Sequence, residues 1–147
     1  VLKGQDIFDE KVASDMNKRN LVYEKMFSLA DELASQGRGV ILDATFIKQS
    51  LRKRAAAAAA RNKRTFIIQQ TSAPEAYSLN KISKRTKENY ESNALTPEAY
   101  FNNKEKFEPV DLDEIKRLYP DLSIVHLVVD TASDNEDGWY VISRETR

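Results

Sequence analysis

Gly37-Arg38-Gly39-Val40-Ile41-Leu42-Asp43-Ala44-Thr45-Phe46 is the stretch on which the reading of this chain turns. Val40-Ile41-Leu42 is an apolar run without alternation. Such a run suits a strand buried on both faces, as in a parallel sheet covered by helices. It ends at Asp43, a carboxylate at the carboxyl end of the expected strand, where open α/β sheets bind their ligands. Upstream, Val22, Met26, Leu29 and Leu33 fall on one helical stripe, widened by Ala30 and Ala34, and predict a helix over residues 17–36. Gly37 supplies the left-handed residue that commonly ends a helix.

Downstream the same alternation of elements continues. A helix is predicted over residues 48–62, with six consecutive alanines from Ala55 to Ala60 giving it a slim, helix-favouring middle. Thr65-Phe66-Ile67-Ile68-Gln69-Gln70 reads as a strand. Ser72-Ala73-Pro74-Glu75 has the spacing of a capping box and opens a helix expected to reach residue 88. A polar loop over 89–95 follows. Thr96-Pro97-Glu98 opens another helix with Pro in its first turn, and Asp111-Leu112-Asp113-Glu114 starts a short one that ends at Pro120. Residues 122–130 read as a strand. Asp134-Asn135-Glu136-Asp137-Gly138 is an acidic turn, and Trp139-Tyr140-Val141-Ile142 a last strand that can form a hairpin with the one before. The order predicts an α/β fold with a mostly parallel sheet and right-handed crossovers. We divide it into residues 1–130 and a C-terminal appendage, 131–147.

Composition narrows the function classes. The chain has 147 residues, with Lys plus Arg 23 and Asp plus Glu 23, so net charge argues for neither a membrane nor a nucleic-acid partner. There is no cysteine, which excludes disulfides and thiolate metal sites. No run approaches the roughly 20 apolar residues of a membrane span, and Val1-Leu2-Lys3-Gly4-Gln5 has no apolar signal region. The expected location is cytoplasmic.

Three groups of residues could carry chemistry. Asp43 could hold a magnesium ion beside a nucleotide phosphate; an Asp after a buried strand is also a common helix cap or turn residue. Lys81, Lys84 and Arg85 share a helix face next to a polar loop. They suit a lid that closes over transferring phosphates, or a solvated face. Lys48, Arg52, Lys53, Arg54, Arg61, Lys63 and Arg64 make a third basic group, in which Arg52 could reach back toward the strand end. The single histidine, His126, lies inside an apolar strand and reads as a packed or sheet-surface residue.

In series, these segments resemble the P-loop kinase family that includes zeta-toxin-like and polynucleotide-kinase-like ATPases. The likeness runs through Val22-Tyr23 to Leu33, Gly37 to Phe46, Arg52, Ser72-Ala73-Pro74-Glu75, Lys81 to Arg85, Glu91-Ser92-Asn93-Ala94 and Phe107-Glu108-Pro109, covering roughly residues 1–110. It implies a three-layer P-loop NTPase fold. It also implies an ATP-dependent kinase that uses Mg2+ and transfers a phosphoryl group to a hydroxyl of a small molecule or a nucleic-acid end. By that resemblance Asp43 works at the metal and in catalysis and Arg85 is the catalytic lid residue. Thr45, Arg52 and Lys81 contact the nucleotide. The family often has Arg where Lys81 stands, a swap that keeps charge and loses the bidentate fork. The departure is at the phosphate grip. The four glycines, at 4, 37, 39 and 138, form no G-x-x-x-x-G-K-[ST] motif. We therefore expect a fragment of a longer kinase, inactive alone, whose uncovered sheet edges favour self-association. The alternative is a non-catalytic binding or scaffold module that uses the helix at 48–64 against an anionic partner.

Overall fold

The computed structural model describes residues 16–84 and 96–147 of the chain. Its elements, in order, are α1 (Met16–Ser35), α2 (Gln49–Arg61), β1 (Phe66–Ser72), α3 (Glu75–Ser83), α4 (Pro97–Lys106), α5 (Leu112–Leu118), β2 (Ile124–Asp130), a 3-10 turn (Glu136–Gly138) and β3 (Tyr140–Thr146). The sheet order is β1-β2-β3. β1 and β2 pair in parallel, with Phe66 opposite Ile124 and Ser72 opposite Asp130. β2 and β3 pair antiparallel, with a bulge between Val128 and Val129. Helices and a mixed sheet make this an α/β protein. The segment expected as an appendage supplies the third strand, and its last residue exchanges two backbone hydrogen bonds with Ile124, each 3.0 Å.

Local chemistry sets several ends as the sequence implies. Gly37 closes α1 at φ +85°, and the Gly37 and Arg38 amides donate to the carbonyls of Ala34 and Leu33. That is the paired 5→2 and 6→1 bonding of a Schellman end. Thr96 caps α4 by accepting from Ala99 N, with Pro97 at the first helical position. Asp111 caps α5 by accepting from Glu114 N at 2.7 Å.

Three expectations are corrected. Val40-Ile41-Leu42 is not a strand, and Ile41 is 94% exposed. A central parallel strand needs hydrogen-bonded neighbours, and among the described residues none pairs with this run. The capping box is not formed either. Ser72 is the last residue of β1, where its carbonyl accepts from the Thr131 amide and hydroxyl, and Pro74 stands at the cap without a side-chain bond. Strand pairing claimed the serine first. On α1 the buried residues are Phe27, Ala30 and Ala34, whereas Leu29 is exposed. The inward face is thus displaced toward the alanine side of the expected stripe, with Val22, Met26 and Leu33 half-buried at its margin, as α1 packs its slim alanines and one aromatic ring toward α2.

The core is Ala56, Leu112, Ile115, Leu122 and Ile124, with Phe66, Ile68 and Tyr119 packed around it. The alanines of α2 let it lie close to α5 and the sheet. Residues 62–65 and 119–123 are short reversals leading into β1 and β2. Both preceding helices therefore start near the carboxyl ends of these strands. The loops at 43–48 and 107–111 come to that end, together with the start of α3 and the segment after β2.

Candidate functional site

The loop at 43–48 is built around Phe46. Its φ of 42° is in the left-handed region, uncommon for a bulky residue and a place where backbone strain is held by surrounding structure. The holding is aromatic: the Phe46 ring lies 5.9 Å from Tyr23 and 6.2 Å from Phe27, and Arg54 covers Phe27 at 4.6 Å. On the outer side of this anchored turn Asp43, Ala44 and Thr45 face solvent. Neither Asp43 nor Thr45 makes a side-chain hydrogen bond or ion pair among the described residues.

Immediately after the turn, α2 begins in a polar junction with residues 107–111. Glu108 Oε2 accepts from the Gln49 amide at 2.7 Å, and Oε1 pairs with Lys48 Nζ at 3.0 Å. The carboxylate thus fills the anion-favouring position at the start of the helix. The Gln49 amide, then Lys48 and Arg52, hold the Glu108 carboxyl below its ordinary range. The Glu108 amide donates to Ile47 O at 2.8 Å, and the Gln49 side chain bonds the backbone of Asp111 at both its ends. Arg52, expected at the phosphates, is only 3% exposed. It donates to Gln49 Oε1 and Pro109 O, each at 3.1 Å, and to Ile47 O at 3.4 Å, with its face 4.9 Å from the Phe107 ring. Burial lowers its pKa, against the opposing pull of Glu108.

A second cluster stands where α3 leaves β1. Tyr77 Oη donates to Asp134 Oδ1 at 2.8 Å, and Lys81 Nζ pairs with the same oxygen at 3.0 Å. The Tyr77 hydroxyl, then Lys81, lower the Asp134 carboxyl pKa. Burial, then Asp134, raise that of Tyr77. Glu75 at the head of α3 pairs with Lys104 of α4 at 2.7 Å. Lys81 is therefore seated against the segment after β2. Arg85, the expected lid residue, lies outside the described residues.

The structure brings Asp43, Thr45 and Arg52 into one loop-and-helix junction, two facing solvent and one beneath. Sequence reasoning missed Gln49, Tyr77 and Asp134 altogether, and gave Glu108 no role. The spacing of Tyr77 and Lys81, i and i+4, was a usable signal; the partners of Glu108 and Asp134 are some 60 residues away in sequence and left none. The basic group of α2 is largely engaged: Lys53 with Glu114, Arg54 with Glu24 and Arg61 with Asp31, besides Lys48 with Glu108. A cleft of about 570 Å³ between Lys63, Arg64, Tyr119 and Asp121 opens at the amino ends of the strands, among residues separate from both clusters. His126 bonds Gln70 across the sheet at 3.1 Å, with a pKa lowered mainly by burial.

The sequence profile of the AAA domain family matches residues 4–110, well over half of the chain. The chain belongs to that family. The AAA domain is of the P-loop NTPase type, which binds nucleotides in kinase- and ATPase-like proteins. The matched stretch contains both the turn at 43–48 and α3, and ends at the junction that holds α2. No curated protein and no solved structure matches the chain. Among the described residues, no group of three or more acidic or histidine side chains could hold a metal ion unaided, and no helix is long and apolar enough to cross a membrane.

Proposed function

We propose that this AAA domain serves an ATP-dependent phosphotransferase of the zeta-toxin-like or polynucleotide-kinase-like kind, with a hydroxyl as phosphoryl acceptor. The observation that carries the reading is the turn at 43–48. A strained, aromatic-anchored backbone holds one carboxylate and one hydroxyl unengaged at the carboxyl end of the parallel strands. That donor set fits Mg2+, which is commonly bound through one or two carboxylates together with substrate phosphates and water. Asp43 would hold the ion and Thr45 would bond the phosphate side of the nucleotide. When bound, the ion neutralises charge that builds on the phosphate oxygens. Lys81 would offer its ammonium to the phosphates from α3 by exchanging Asp134 for them, and Arg85, four residues on in the sequence, would be the second cation. The sequence has no G-x-x-x-x-G-K-[ST] motif. On this reading the backbone grip on the phosphates would have to come from outside these 147 residues, and the chain alone should turn over little ATP.

The scaffold alternative would present the cations of residues 48–64 to an anionic partner, and four of them, Lys48, Lys53, Arg54 and Arg61, would first have to leave their ion pairs. Phosphoryl transfer from labelled ATP by the full gene product, compared with Asp43→Asn, decides the matter. We expect a loss of about a hundredfold or more, the scale seen when one electrostatic contact to a reacting centre is removed. An unchanged rate in the folded variant ends the assignment.

A further inference from the structure

We infer that Arg52 is a positioning residue: it clasps the turn bearing Asp43 and Thr45 to the segment 107–111 and so fixes the carboxylate, an inference that rests on the phosphotransferase reading above. Two of its acceptors are backbone carbonyls from segments far apart in sequence. Ile47 lies four residues after Asp43, directly behind the strained Phe46, and Pro109 lies in the loop before α5. Ile47 O is bonded twice, by Arg52 and by the Glu108 amide, so the two segments are tied at one atom. The Gln49 side chain adds a third tie, since Arg52 holds its oxygen while its nitrogen bonds Asp111 O.

The same contacts argue against a phosphate role. A guanidinium grips an anion with parallel N–H groups in its own plane. Here both terminal nitrogens already donate to neutral oxygens, one face lies on Phe107, and the residue is 3% exposed. Lysine cannot replace it, because an ammonium has neither the planar fork nor the stacking face.

Hydrogen exchange on the 147-residue chain tests the clasp without nucleotide. In Arg52→Lys the amides of Gln49 and Glu108 should exchange severalfold faster, while that of Val129 in β2 keeps its protection. In Phe107→Leu, which removes only the stack and is the milder change, the same two amides should move by less. Unchanged exchange at both amides in both variants overturns the clasp. In the full gene product, Arg52→Lys should lower kcat by at least about tenfold, since an ångström of misplacement can cost about a hundredfold, with ATP affinity within about twofold. Weakened ATP binding with kcat retained would instead make Arg52 a phosphate ligand and overturn the proposal. A wild type that transfers no phosphoryl group removes the underlying reading, whereas the exchange result still decides the clasp.

Discussion

Asp43 and Arg52 are nine residues apart, and the fold sends them to opposite fates. The carboxylate stays in solvent on a turn that strains to present it; the guanidinium goes under that turn and spends its donors on carbonyls. Glu108 completes the arrangement and gives it a pH dependence. Its folded pKa is depressed, so the stability it contributes is fully present above its ordinary value of 4.5 and is lost as pH falls through the lower folded value. Thermal midpoints of wild type and Glu108→Gln should differ most at neutral pH and converge in acid below 4.5. The carboxylate is half exposed, so the gap will be modest and will shrink with salt. A gap that is constant across pH would mean that its charge is irrelevant to the junction.

The elements hold together through small residues rather than large ones. Ala56 is fully buried against Leu112, Ile115 and Ile124, which brings α2 within reach of both α5 and the loop that α5 follows. Slim packing there is a condition for the junction above it, because Gln49 and Arg52 must reach the 107–111 backbone. Ala56→Leu adds three carbons to a filled space and should cost about 1–3 kcal/mol. A urea midpoint at or above wild type would show slack in that contact. The element scale is also where the sequence is most legible. The helix ends at Gly37, Thr96 and Asp111 follow from local rules, and six of the predicted helices and strands form close to their expected bounds. Ser72 fails because the same residue had two local uses, and pairing with β2 decided between them.

For the whole molecule, the sheet has uncovered edges. Among the described residues β1 pairs on one side only, β3 is exposed along its length, and Ile41, Ile67, Val141 and Ile142 face solvent. β1 carries neither charge nor proline to blunt its edge. The 147-residue chain should self-associate with rising concentration, and Ile67→Lys should shift the mass toward monomer in light scattering. Wild-type mass that stays monomeric across concentration would contradict this.

The residue order by itself determined the α/β class, the helix ends and the chemical types at 43, 45, 52 and 81, because caps, left-handed glycine and apolar periodicity act over a few neighbours. Tertiary structure alone decided which of those groups face solvent and which are buried. Glu108, Gln49 and Asp134 acquire meaning from partners some 60 residues distant, and a buried guanidinium cannot be told from an exposed one by spacing. The unformed strand at Val40-Ile41-Leu42 has the same cause, since apolar character makes a strand only where another backbone lies beside it to take its hydrogen bonds.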